Sequence, residues 1–250
     1  MGLVSTPATV LKTYEYSETS KILRLLTRDH GLCSAIAKGA RRPRSRFGGL
    51  LEPFSDGVAT FYVKEGRELH TLSGFELRRE RQALGRELVR YAGAGLLTEI
   101  ALRFASSEPD RELFEQLGRS LDRLVAQNGA VETAVLEETW RLIVRLGFAP
   151  ALDPCSGCGR SPAPDETTHF DLVGGGIICD GCRRESAALS LKALAPRART
   201  ELALLVAGAA DATVLETIRF QRNLLRDFIA YHLADHRPLN SFHFLEQRLG

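Results

Sequence analysis

At 250 residues, with 44% hydrophobic and 26% charged side chains, the chain has a globular composition with room for one or two cores, which excludes the disordered and fibrous classes. Its formal net charge is only +2, so bulk charge does not mark a polyanion binder, and five Cys do not make a disulfide-built scaffold. No apolar run approaches the roughly 18–20 residues of a membrane span, and the first ten residues lack the regions of a signal peptide, which predicts a cytoplasmic chain with no membrane partner.

In chain order, the first eighty residues read as short strands between turn signals. The segments Ala8–Tyr16, Lys21–Leu26, Leu32–Lys38, Gly57–Lys64 and Leu69–Arg78 are rich in Val, Ile, Thr, Leu, Tyr and Phe. Asp29–Gly31, Asp56-Gly57 and Glu65-Gly66 punctuate them. Alternation in the fourth segment sends Ala59, Phe61 and Val63 to a core face and Thr60, Tyr62 and Lys64 to the other. Five strands in this length suit a small barrel, for which the oligonucleotide-binding (OB) fold is one solution and other five-stranded barrels are alternatives.

From about Arg81 the period becomes helical. One long helix is predicted from Leu84 through Phe104, a second from Asp110 to Val125 and a third from Val131 to Leu146, with Gly147–Pro150 as its stop. Glu137 and Glu138 read as part of the third helix's polar face. After a cysteine-bearing insertion, helices are expected again over Leu191–Ala207 and Ala212–Ala234. The predicted domains are thus a barrel over residues 1–80, a helical domain over 81–150 and 190–250, and an insertion over 151–189.

Two features carry chemistry. Cys155-Ser-Gly-Cys158 and Cys179-Asp-Gly-Cys182 are two knuckles twenty residues apart, the arithmetic of a zinc site. Gly157, Gly159 and Gly181 suit the tight turns, Thr168–Val173 and Gly176–Ile178 read as the strands of a zinc ribbon, and Arg160, Arg183 and Arg184 are near enough in sequence to offset part of the thiolate charge. Four sulfur ligands close the shell, so one structural zinc ion is expected rather than a catalytic one, which keeps an open position. A zinc deaminase would need an HxE element, yet His169 is followed by Phe170 and Asp171. Cys33, on an apolar strand, is expected to be a core thiol.

The second feature is charge placement. Residues 1–80 hold 13 basic and 9 acidic side chains, a net +4, and the remainder is net −2. Lys38, Arg41, Arg42, Arg44 and Arg46 fall within nine positions with no acid between them, on what is expected to be a mobile loop between strands. Arg forks and backbone amides at Gly39 and Ala40, with the Ser45 hydroxyl, are suited to phosphate oxygens, although most basic runs are only solvated charge. Tyr62, beside Lys64, is the best base-stacking residue by alternation, with Tyr14 and Tyr16 behind it. No P-loop or GxSxG elbow occurs, so no catalytic residue is assigned and no enzymatic activity is expected.

The stretch Val10–Thr27 (VLKTYEYSETSKILRLLT), then Gly31-Leu32, Ile36–Arg41, Ser45-Arg46 and Leu51–Phe54, resembles the opening of the RecO family of recombination mediators. The Cys pairs following Leu146-Gly147-Phe148 and the helical flanks extend that resemblance over essentially the whole chain. It implies an α+β multidomain protein: an N-terminal five-stranded OB-fold β-barrel, an α-helical domain and an embedded four-cysteine zinc ribbon. It further implies a non-enzymatic, nucleoid-associated DNA repair role. That role comprises binding single- and double-stranded DNA, annealing complementary strands, and helping load recombinase onto strands coated by single-strand-binding protein, with RecR and that protein as partners. The DNA-binding residues would be Lys38, Arg41, Arg42, Arg44, Arg46, Tyr62 and Lys64. The competing reading is a zinc-ribbon adaptor for protein assembly with incidental DNA affinity.

Overall fold

The computed structural model describes the backbone of residues 2–63, 66, 68–185, 191–210, 214–233 and 239–249. Lys64 and residues 186–190, 211–213 and 234–238 of the predicted insertion and helices lie outside the described residues. The chain divides into two compact units, Met1–Ala126 and Gln127–Gly250. The structure is mixed α+β, as expected.

In the first unit, β1 (Gly2–Tyr16), β2 (Ser20–Thr27), β3 (Gly31–Ala37), β4 (Asp56–Val63) and β5 (Leu69–Arg79) close into a barrel in the order β1-β2-β3-β5-β4. All pairings are antiparallel except β3 with β5. This five-stranded, Greek-key closure is that of an OB barrel. The fifteen-residue β1 pairs with β4 through its first half and with β2 through its second, which a register shift between Val10 and Lys12 permits. Alternation sends Ala8, Val10, Leu23, Leu25, Cys33, Ala35, Ala59, Phe61 and Leu72 inward. The β2–β3 turn ends on Gly31, whose positive φ of 58° and contact with the carbonyls of Ser106 and Glu108 leave no room for a Cβ.

The long helix predicted from Leu84 is broken. Residues Gln82–Arg86 form a 3-10 turn, Glu87 is extended, and α1 runs Leu88–Phe104. The cause is Arg81, whose side chain is only 2% exposed. Its Nε donates to Asp122 Oδ1 at 2.8 Å, Nη1 to the Phe54 carbonyl at 2.8 Å and Nη2 to the Gly118 carbonyl at 3.3 Å. Satisfying that guanidinium fixes the end of β5 against α2 (Arg111–Ala126), so helix geometry starts only after it. Asp110 caps α2 through Oδ1, accepting from the Leu113 amide at 2.9 Å.

In the second unit, α3 (Val131–Arg145), α5 (Pro196–Ala207) and α6 (Ile218–His232) pack around Trp140, which lies 5.0 Å from Phe228, itself 6.1 Å from Phe170. The polar face expected at Glu137 and Glu138 is not there, since both are buried. Helix α3 is covered nearly all round, and Arg141, one turn on, reaches both carboxylates at 3.0 and 3.5 Å. The predicted helix at Leu191 also starts late. Leu191–Leu194 is a strand, β8, paired with β6 (Thr168–Asp171), which pairs in turn with β7 (Gly176–Ile178), and Pro196 then opens α5. Helices α4 (Asp180–Glu185) and α7 (Asn240–Leu249) complete the unit.

Glu201 replaces an ordinary cap for α6. Its carboxylate accepts from the amides of Glu216 and Thr217, the Thr217 hydroxyl and Arg197 Nε. Burial alone would raise its pKa, but these donors more than offset that and hold it below the ordinary Glu value. A depressed folded-state pKa stabilises the fold above the unfolded-state value of about 4.3 and loses that contribution as pH falls through the folded value. Glu201→Gln is therefore expected to lower stability at pH 7 and to flatten its decline between about pH 5 and pH 3, read by urea unfolding of the full chain. Arg81→Ala takes this donor from the Phe54 and Gly118 carbonyls and one cation each from Asp56 and Asp122, and is expected to cost roughly 3 kcal/mol, the lower end for broken buried pairs because Asp122 is partly exposed and keeps Arg79, in the same measurement.

Candidate nucleic-acid interface and metal centre

The basic run occupies the β3–β4 connection and is more ordered than a loop expected to be mobile. Successive turns are closed by Arg42 N–H to the Gly39 carbonyl at 3.1 Å, Ser45 N–H to the Arg42 carbonyl at 3.0 Å and Gly48 N–H to the Ser45 carbonyl at 3.1 Å. Ala40, Phe47 and Leu51 enter the barrel core from this loop, and Phe54 is buried beyond them. The Ala40 amide, expected to face phosphates, is spent on the Ala37 carbonyl, while Ser45 Oγ accepts from the Phe47 amide.

Lys38, Arg41, Arg42, Arg44 and Arg46 are all exposed. Arg41 is fastened to the β1–β2 turn: its amide donates to the Thr19 carbonyl at 2.9 Å, its Nη1 to the Ser17 carbonyl at 3.2 Å, and its Nη2 lies 3.2 Å from Glu15. Among the described residues, Lys38, Arg42, Arg44 and Arg46 carry no acidic partner, and Arg46 lies over the Phe47 ring at 5.0 Å. The run is thus a row of uncompensated cations standing on apolar anchors.

Arg41 is thereby held to the turn that follows Tyr16; Tyr16 and Tyr14 are 50% and 45% exposed and lie on the outward side of β1 with Lys12. The Lys12 ammonium is 5.1 Å from the Tyr14 ring centre. Tyr62 is exposed too. Ile36, two positions before Lys38, pairs with Ile22 and through it with Tyr14 on one side, and with Thr71 and through it with Tyr62 on the other, so each tyrosine stands two strand spacings, about 9.5 Å, from that end of β3. Arg24 also points outward, its Nη1 donating to Ser34 Oγ at 2.8 Å. The sequence reading passed it over, although its place between the inward Leu23 and Leu25 carries the signal.

Cys33 is a core thiol: buried, its Sγ donating to the His30 carbonyl at 3.2 Å, and pushed up from the ordinary thiol pKa by that burial.

In the second unit the four predicted cysteines converge. The Sγ atoms of Cys155, Cys158, Cys179 and Cys182 all lie within 4.8 Å of one another, with Cys158 and Cys179 at 3.9 Å. Tetrahedral ligands 2.3 Å from a metal stand about 3.8 Å apart, so the cluster has the size such an ion requires. The β6–β7 hairpin delivers the second knuckle, and the Ser156 amide ties the first to the Ile177 carbonyl at 2.9 Å. Gly157 is obligatory, since a Cβ there would meet Cys182 Sγ at 2.9 Å.

The cluster's thiols differ in acidity. Burial raises the Cys155 thiol, but amides of Cys158, Cys179 and Gly157 outweigh it and bring its pKa to about 6, whereas Cys182, facing Cys179 and Cys158, is pushed up to about 12. A divalent metal at this centre would favour the thiolate form of all four. Of the arginines expected to offset this charge, Arg183 and Arg184 pair with Asp180 instead, at 2.9 and 2.8 Å. Arg160 is held bidentately by Glu166 and also lies beside Cys179.

A closed OB barrel with an exposed basic loop, joined in one chain to a four-cysteine ribbon, defines a class of β-barrel and metal-ribbon proteins. Comparison with known proteins is specific. The model of the recombination protein O N-terminal region matches residues 1–81, and that of its C-terminal region matches 85–241. The chain belongs to the recombination protein O family. It is 35% identical to the DNA repair protein RecO of Rubrobacter xylanophilus over 95% of this chain and 94% of that one. It is 34% identical to the protein of the same description from Anaeromyxobacter sp. strain K, over 99% and 97%, and 34% identical to that of Myxococcus xanthus, over 96% of each. Among the described residues no helix is long and apolar enough to cross a membrane.

Metal loading is directly measurable. Elemental analysis of the purified chain is expected to find one divalent ion, absent from a Cys155→Ser, Cys179→Ser variant. Chelation should lower the melting temperature reported by fluorescence of the single Trp, which is buried in the same unit as the cysteines.

Proposed function

We propose that this chain is a non-enzymatic recombination mediator in DNA repair that binds single- and double-stranded DNA through the rim of its barrel. The observation that carries this reading is the exposed row Lys38, Arg42, Arg44 and Arg46, without an acidic partner among the described residues, on a barrel whose wall also exposes Tyr14, Tyr16 and Tyr62. Arg forks grip phosphates without regard to sequence, and exposed tyrosines offer stacking surfaces worth about 1–3 kcal/mol per unpaired base. Tyr62 extends this surface around the wall, and Lys64 follows it two positions on in the sequence.

Annealing then needs no nucleotide hydrolysis. Two strands repel through their phosphates, a cationic rim that holds both lowers the encounter barrier, and base pairing supplies the driving force. Membership of the family supports partnership with RecR and with single-strand-binding protein, and a role in loading recombinase on strands that the latter coats. The division of labour that fits is a DNA-binding barrel over residues 1–80, a helical domain over 81–150 and 190–250, and an insertion over 151–189. The metal is zinc, held by Cys155, Cys158, Cys179 and Cys182. Four thiolates suit it and leave no position for substrate, so its role is to fold the ribbon.

Replacing Arg41, Arg42, Arg44 and Arg46 with Ala is expected to weaken binding to all sequences alike. The slope of log affinity against log salt on single strands should flatten by about 2.1, at roughly 0.7 for each phosphate contact of Arg42, Arg44 and Arg46, Arg41 being held by Glu15 and Ser17. A folded variant that keeps wild-type affinity at every salt concentration overturns the assignment.

A further inference from the structure

The outward face of β2 and β3 does not end in featureless surface. At the rim opposite the basic loop lies a cavity of about 590 Å³, within the range of small-molecule sites. Two kinds of side chain meet there. Cys33, Phe61 and His70 come from the inward side of the wall, and Arg24 and Ser34 from the outward side. The cavity therefore opens onto the outward face of the barrel while reaching into its mouth. His30 and the carboxylate of Asp29, from the β2–β3 turn, complete the polar lining used here.

The chemistry of this lining is that of a nucleobase slot. His70 stacks on Phe61 with ring centres 5.5 Å apart and 14° between planes, and His30 meets the same ring edge-on at 6.1 Å. Phe61 is buried, so the half-buried His70 carries the aromatic surface of this stack toward the cavity. Its Nδ1 is buried with no hydrogen-bond partner among the described residues, leaving one polar atom for an incoming group. Asp29 is already taken by Thr6, Arg28 and Arg111, so it adds no free anion to repel a phosphate. Arg24, held to Ser34, stands at the lip; the exposed Glu68 also lines the cavity, and no ion pair joins it to Arg24 among the described residues.

We propose that this cavity receives one unstacked base of a bound single strand, stacked on His70, with Arg24 on the neighbouring phosphate. The inference rests on the DNA-binding reading above and deepens it. The strand runs from the basic loop at the Ala37 end of β3 to the cavity at the Gly31 end, about 20 Å at the rise of a strand. That length suits the shorter end of the roughly 4–16 nucleotides such barrels cover. A base paired in a duplex cannot enter, so the pocket is where the protein distinguishes unpaired DNA from duplex.

The test compares an oligothymidylate of about twelve units with an abasic sugar-phosphate polymer of the same length and with a duplex, against the wild-type chain and two variants. His70→Ala removes the stacking surface, and Leu32→Trp fills the mouth from a half-buried lining position while leaving the Arg24–Ser34 bond in place. Both are expected to lose about fivefold or more of the preference for oligothymidylate over the abasic polymer, while affinities for abasic polymer and duplex stay at wild-type values. The imidazole resonances of His70 should move on adding oligothymidylate and stay still with inorganic phosphate. The proposal is overturned if both variants keep the full preference, if they weaken all three ligands equally, or if phosphate alone moves His70. Failure of the parent reading looks different: the wild-type chain would then bind none of the three in a salt-dependent way.

Discussion

A loop that leaves buried Ala40 and must bury Phe47 and Leu51 in a barrel can dispose of the arginines between Ala40 and Phe47 only by turning them outward. Each buried side chain contributes about 1.5–3 kcal/mol of apolar transfer, more than solvated guanidinium groups give up by being crowded along one rim. The same insertion that fills the barrel's end therefore exposes its cations. Arg81 fixes the far end of this loop by donating to the Phe54 carbonyl while its other nitrogens hold α2. The first unit is thus fastened by one buried cation and presents several others to solvent.

The second unit handles its ionisable groups differently. Glu137, Glu138 and Glu201 are buried, and each is met by an arginine one turn along its own helix. The cysteine cluster is the exception: among the described residues, Arg160 is the arginine that lies beside its sulfurs. The same requirement, that buried charge be matched, is met by protein cations in the helices and would be met by a divalent metal in the ribbon.

Where local pattern determined the outcome, the sequence was legible. Strands β2 to β5 lie within about a residue of their predicted bounds because alternation and Gly-containing turns act over short range, as with Ala59, Phe61 and Gly31, whereas β1, expected from Ala8, begins at Gly2 because β4 pairs with its first half. The two CxxC knuckles declare their chemistry by spacing alone. What escaped was decided by distant partners. The helix break at Arg81 depends on Asp122, forty-one residues away. The strand at Leu191–Leu194 exists because β6 offers it an edge, and the burial of Glu137 follows from helices that cover α3 from several sides. The link between the basic run and the turn that follows Tyr16 could not be read before Arg41 was seen bound to Ser17 and Thr19.

Arginine-selective modification by phenylglyoxal, followed residue by residue by mass spectrometry with and without single-stranded DNA, tests the central claim most directly. The account predicts that Arg42, Arg44 and Arg46 react readily in the free chain and are protected by DNA, while Arg183 and Arg184, paired with Asp180, change little. Equal modification of the three loop arginines in both states would contradict it.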